Sequence, residues 1–251
     1  NTAFRAEAGD LPEFALYMPG MGGNIKFGLA NNDSSKWLIN ADKITARYRP
    51  GSMIYIIEDK MLGKGKLQLS ILAMADAEGV IIKLQFENVP SSVKLMYAYG
   101  GASGKKFSRD GDMGPDPESS FYLKPEYCTD NNYLINENNF LLKYGTGVVA
   151  EWDPYVNKNF VTDTVKPGAV SKEQQIIGFV PPSMQLHIAD AAKQQTPDLL
   201  YQSAKSNTSL ITGRLNVKNN EAYFFSIQKP GSNQSISYAE SEKIYSKAEA
   251  A

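Results

Sequence analysis

An all-β protein, a sandwich or a barrel, is what this sequence predicts, on three observations. Short apolar runs alternate with a period of two, which fits strands with one buried face. Turn signals rich in glycine, proline, asparagine and aspartate separate them at roughly eight to twelve residues, the spacing of sandwiches and barrels. The composition agrees: 14 tyrosines, 11 phenylalanines, 20 glycines and 13 prolines, with few long helix-forming runs, favour strands and turns over helices. At 251 residues and 42% hydrophobic content, one large domain with a substantial core is the expected organisation.

Taken in order, Phe14 to Met18 is a short apolar run that stops at Pro19. Gly20, Gly22 and Gly23 read as a turn before Ile25, Phe27 and Leu29, making a hairpin. Trp37, Ile39, Ile44, Ala46 and Tyr48 continue the alternation, with Asn40 to Lys43 as a tight turn between two strands. Met53 to Glu58, Leu67 to Ala73 and Val80 to Glu87 then read as consecutive antiparallel strands. Val93 to Tyr99 is a further strand, and Phe140 to Tyr144, Val148 to Trp152, Ile176 to Val180 and Met184 to Ile188 follow. Leu210 to Val217 and Ala222 to Ile227 flank Lys218 to Glu221 and predict a hairpin, its Asn219-Asn220 turn tolerating positive φ. No internal repeat is visible.

After Pro230 the composition changes. Residues 231–235 are linker-like, and Ser237 followed by Glu240 has capping-box spacing. Ile244, Tyr245 and Ala248 then share one helical face. The division expected is a sandwich over 1–229 and, over 230–251, a linker and the start of a helix leading elsewhere. A frayed tail is the alternative.

The balance of 26 basic against 27 acidic residues, with pI near 6.0, supplies no global field for nucleic acid or an anionic membrane. No run approaches the length of a membrane-spanning helix. One cysteine, Cys128, excludes an internal disulfide framework. With one histidine, His187, there is no usual zinc ligand set, and a nucleophile elbow is missing. His187 reads as a satisfied strand residue and Cys128 as a small packed side chain.

The stretch from Tyr97 to Asn132 shows neither period over about thirty residues, and loops of that length in compact domains are commonly functional. It carries Arg109, Asp110, Asp112, Asp116, Glu118 and Glu126 among glycines and prolines, with Tyr122 and Tyr127 close by. Clustered carboxylates can hold a hard cation, act as acid and base, or hydrogen-bond sugar hydroxyls. Asp110 and Asp112 match the first ligands of a calcium loop, but Gly114 stands where a third oxygen is needed, so calcium is unsupported and no metal or cofactor is expected. Aspartates beside glycines also cap turns without any further role. Aromatic faces near carboxylates suit a sugar ring, and Tyr97, Tyr99, Phe107, Tyr122, Tyr127 and Trp152 are the candidates, each alone more readily explained as packing.

At GGASGKKFSRDGDMGPDPESSFYLKPEYC, supported by FRAEAGDLPEF and GRLNVKNNEAYFFSIQ, the chain resembles a domain of unknown function. Members of that family look like the N-terminal β-sandwich of large exported glycosidase-like proteins from polysaccharide-degrading gut bacteria. The resemblance implies a many-stranded, galactose-mutarotase-like super-sandwich that precedes an (α/α)₆ domain through a linker helix, in a periplasmic or exported protein. It also implies carbohydrate as partner, a helical domain of the same polypeptide beside it, and a sandwich not catalytically complete alone. No residue role carries over. The expected substrate-binding loop therefore rests on Arg109, Asp110, Asp112, Asp116, Glu118, Tyr122, Glu126 and Tyr127. A stand-alone carbohydrate-binding module and a purely structural docking domain are the alternatives.

Overall fold

A computed structural model describes residues 5–17, 21–104, 123–145, 173–231 and 237–251. Two antiparallel sheets face each other. The first has the order β1-β2-β3-β9-β14-β13, with β4 beside β3. Its strands are β1 (Arg5–Ala8), β2 (Glu13–Tyr17), β3 (Met21–Ala30), β4 (Ser35–Trp37), β9 (Lys94–Ala102), β13 (Gln185–Asp190) and β14 (Ser209–Asn216). The second has the order β10-β11-β12-β15-β8-β7-β6-β5. It contains β5 (Lys43–Arg49), β6 (Ser52–Glu58), β7 (Lys66–Ala73), β8 (Gly79–Glu87), β10 (Asn132–Asn136), β11 (Asn139–Tyr144), β12 (Gln174–Phe179) and β15 (Ala222–Gln228). The sandwich, not the barrel, is the outcome.

The main core lies between the sheets, where alternate residues of both interdigitate. Phe27 of β3 and Tyr97 of β9 meet Phe225 of β15, at centroid distances of 4.9 and 5.2 Å, and Tyr99 meets Phe140 at 5.7 Å. Both outer faces are covered in part. On the second sheet Leu72, Ile81, Phe179 and Phe224 pack under Tyr245 and Ala248 of the C-terminal helix α2 (Ser241–Ala250). On the first, Trp37, Ala98 and Leu210 pack under Leu200 of the short helix α1 (Pro197–Gln202) and under Leu123 and Cys128. Central strands such as β3 and β9 therefore read as nearly continuous buried runs, because both faces lose water.

Several expectations are corrected. Gly22 and Gly23 belong to β3, not to the turn before it; Gly23 sits at φ +115°, and a Cβ there would lie 2.7 Å from the Tyr99 ring. The strands on either side of Asn40 to Lys43 do not form a hairpin: β4 pairs with β3, whereas β5 pairs with β6 in the other sheet, and a 3-10 turn (Leu38–Asn40) joins them. The same holds for Lys218 to Glu221, since β14 pairs with β9 and β13 while β15 pairs with β8 and β12. That connection is a corner between sheets. Asn220 does take positive φ, 64°, and Asn219 exchanges hydrogen bonds with the main chain of Val89, donating at 3.0 Å and accepting at 2.8 Å. Strands β1 and β10 and helix α1 were not anticipated. Residues 148–152 lie outside the described residues.

The C-terminal helix forms where expected. Ser237 Oγ accepts from the Ala239 amide at 3.3 Å, opening a 3-10 turn (Tyr238–Glu240) that leads into α2. Its apolar face lies against the second sheet, with Tyr245 Oη and Ser70 Oγ 2.7 Å apart in a buried contact. Arg49 to Glu249, at 2.7 Å, and the ion pair of Lys247 with Asp76 flank it.

Candidate functional site

One end of the sandwich gathers the attachment points of the longest connections. Met21 O, at the start of β3, accepts from the amides of Ser103 and Gly104 just beyond β9, at 3.1 and 3.0 Å. A Cβ on Gly104 would lie 3.7 Å from Gly145 Cα, just beyond β11. Met21, Gly104 and Gly145, which border residues 18–20, 105–122 and 146–172 in sequence, therefore lie beside one another. Of the expected loop residues, Arg109, Asp110, Asp112, Asp116, Glu118 and Tyr122 lie outside the described residues, as do Phe107 and Trp152. Among the described residues no group of three or more His, Cys, Asp or Glu side chains could hold a metal ion.

Glu126 and Tyr127 are placed, on a 3-10 turn (Pro125–Cys128) that seals the outer face of β9. Glu126 is exposed and Tyr127 half-buried, with the Lys124 ammonium 5.7 Å from its ring. The turn is anchored by Cys128, whose sulfur accepts from the Gly101 amide at 3.2 Å; burial pushes that thiol up to about 12. Cys128 is a packed anchor, as expected. Tyr97 and Tyr99 are not sugar platforms: both rings are at most 1% exposed, and burial holds both hydroxyls well above the usual tyrosine range. Tyr99 Oη instead donates to Gly22 O at 2.7 Å.

Leu123, where the chain returns, touches polar groups that sequence reasoning missed. Strand register sets Glu13, Lys26, Ala98, Thr212 and His187 in one row across β2, β3, β9, β14 and β13 on the outer face of the first sheet. At one end of this row Glu13 and Lys26 form an ion pair at 3.7 Å, their side chains only 9% and 10% exposed. The Lys26 ammonium lies 5.1 Å from the Trp37 ring and 3.5 Å from Gln194 Oε1. Gln194 also accepts the Trp37 indole N–H on its main-chain oxygen at 2.7 Å and donates to Leu123 O at 3.1 Å. The Glu13 carboxylate faces Lys26, Asn24 and the Leu123 amide, but none of these contacts closes to strict hydrogen-bond geometry. Burial therefore dominates, raising Glu13 and lowering Lys26 against the pull of their mutual charge. The pair, with Gln194, clamps the point where residues 105–122 rejoin the fold.

At the other end His187 meets Tyr201 of α1 edge-on, with centroids 4.6 Å apart. Burial first, and the Arg214 charge as well, lower its pKa, while a hydrogen bond to the Tyr201 main chain opposes them. Beside it a shallow depression of about 270 Å³ is lined by Lys94, Ser183, Gln185, Arg214, Leu215 and Asn216.

Fold and surface together define an all-β sandwich domain with one rim of long connections and one partly open polar face. Residues 18–249 match a family described as a domain of unknown function, DUF4450, and the chain belongs to that family. No curated protein matches it. Among solved structures it is similar to a bacterial glucoamylase complexed with acarbose, at 11% identity and a TM-score of 0.47. The alignment covers 96% of this chain and 34% of that one, so the chain spans about a third of the glucoamylase's length.

Proposed function

We propose that this chain is the β-sandwich domain of a carbohydrate-active, glycosidase-like protein, and that the rim where residues 105–122 and 146–172 attach faces the glycan. One observation carries the reading: Gly104, the last described residue before the stretch with Arg109, Asp110, Asp112, Asp116, Glu118 and Tyr122, lies beside Gly145, the last before the other long connection. This brings the attachment points of a carboxylate-rich stretch and of the stretch containing Trp152 to one edge of a rigid scaffold. Binding sites are commonly built this way, with variable chemistry on connections and precision supplied by the sheets. Under this reading Glu126 and Tyr127 flank the site, the helix that begins at Ser241 leads toward a helical domain of the same polypeptide, and the protein is periplasmic or exported.

The test is alanine replacement of Asp110, Asp112, Asp116 and Glu118 together in the full-length parent, assayed on a panel of plant and host glycans. Loss of activity or binding with an unchanged melting temperature is expected. Unchanged activity removes the loop from the site. A second reading, a module that binds glycans alone, is favoured by the open polar face around Arg214. It requires measurable binding by the 251-residue chain.

A further inference from the structure

We infer that the depression at Lys94 and Arg214 is a subsite for an acidic saccharide, with Arg214 taking the carboxylate of a uronic acid residue. This deepens the carbohydrate reading and rests on it. The depression lies on the outer face of the first sheet. It is set where β9 begins and β14 ends, whereas the rim of long connections lies where β9 ends, so this is a second location on the domain.

Three features point to an anionic ligand with hydroxyls. First, the site contains two cations and, among the described residues, neither Lys94 nor Arg214 has an ion-pair partner. Elsewhere on the sheets Lys66 closes on Glu87 at 3.0 Å and Lys43 on Glu58 at 2.8 Å. Second, Arg214 is pre-oriented. Its guanidinium carbon stands 4.4 Å from the centre of the Tyr201 ring, and Tyr201 is itself held by its hydroxyl, which donates to Gln185 Oε1 at 3.2 Å, and by the His187 edge. A guanidinium with one face stacked keeps its N–H edges for a carboxylate, in the fork geometry that such a group matches. Third, the remaining lining is of the kind that sugar hydroxyls need. The Gln185 side chain, once its oxygen accepts from Tyr201, keeps its amide N–H₂ to donate, and Asn216 and Ser183 are exposed. The near-neutral balance of the whole chain restricts this attraction to a local one, so a long polyanion held by charge alone is disfavoured.

The protein's single histidine gives a direct reporter. Burial chiefly lowers the His187 pKa and the Arg214 charge adds to it, so an anion seated on Arg214 offsets that part of the shift and moves the pKa up. The 251-residue chain is titrated by calorimetry and by the His187 proton resonance. Three probes are compared: an oligogalacturonide, its carboxyl-reduced neutral counterpart, and a polyglutamate of equal charge. Expected are binding of the oligogalacturonide alone, weakened by added salt, an upward His187 shift on binding, and affinity lower by about ten- to a hundredfold in Arg214→Met. Arg214 lies on a half-buried face and Lys94→Met provides a second, milder variant should the first lose stability. Equal binding of the neutral and acidic oligosaccharides, unaffected by either variant, overturns the subsite while leaving the carbohydrate reading intact. Equal binding of polyglutamate overturns the saccharide assignment. Binding of none of the probes overturns the subsite, and the loop variant in the parent decides the broader reading separately.

Discussion

Replacing Lys26 with methionine strips the buried Glu13 carboxylate of its cation while keeping most of the side-chain volume. The two groups are 3.7 Å apart with side chains 9% and 10% exposed, and removing one partner of a buried pair usually costs about 3–5 kcal/mol. Here the cost has a ceiling. Glu13, already raised above its ordinary value of 4.5 by burial, escapes an uncompensated charge by taking a proton. At pH 7 that costs about 1.4 kcal/mol for each of about 2.5 pH units, near 3.4 kcal/mol in all. Losing the Trp37 contact adds about 0.5–1 kcal/mol, and relief of the buried ammonium subtracts a comparable amount. The net expectation at pH 7 is about 2–3.5 kcal/mol, a melting-temperature drop of roughly 4–14 °C for a domain of this size. The pH dependence follows from the direction of the shift. A raised folded pKa leaves the folded state holding a proton that the unfolded state has released. Stability fully present below about 4.5 is therefore lost as pH rises toward the folded pKa. At pH 5 the protonation term shrinks to about 0.7 kcal/mol. Urea unfolding of both proteins at pH 5 and pH 7 measures this, and the double variant Glu13→Gln, Lys26→Met recovers at least half the loss. A loss under about 1 kcal/mol at pH 7, or equal losses at both pH values, refutes the account of this pair.

Two further outcomes are expected. Cys128, with its thiol pushed up to about 12 and its side chain buried, reacts with a disulfide reagent at pH 8 at least about a hundredfold more slowly in the native protein than in urea; equal rates contradict its role as a packed anchor. Tyr245→Phe removes the buried contact with Ser70 and leaves that hydroxyl without its partner, at a cost of about 1–2 kcal/mol. Adding Ser70→Ala restores part of it, and a stability unchanged by the single variant shows that α2 is not held through this pair.

What the sequence determined is local. The meander from β6 to β8 was legible because consecutive strands are neighbours, so alternation and short turns carry the whole message: Met53 to Glu58, Leu67 to Ala73 and Val80 to Glu87 fall within a residue or two of the observed strands. The face of α2 was legible for the same reason, since Ile244, Tyr245 and Ala248 repeat at helical spacing. Cys128 and His187 were legible by elimination, as single residues of their kind.

Tertiary structure decided which sheet each strand joins. Lys218 to Glu221 has the composition of a hairpin turn, yet Asn219 is committed to Val89, 130 residues away, and the chain crosses between sheets there. Period-two patterning specifies a buried face but not the partner that covers it. The same limit hid the polar groups of the first sheet's outer face. Glu13 and Lys26 are ordinary charged residues of a hairpin, and they become a buried pair only when Trp37, Gln194 and Leu123, from three distant parts of the chain, close over them. Arg214, Tyr201 and Gln185 likewise meet through β13, β14 and the six-residue α1, a helix too short to leave a periodic trace in the sequence. Desolvation and charge arrangement are properties of the assembled surface, which is why the side chains of this face became candidates only in the fold.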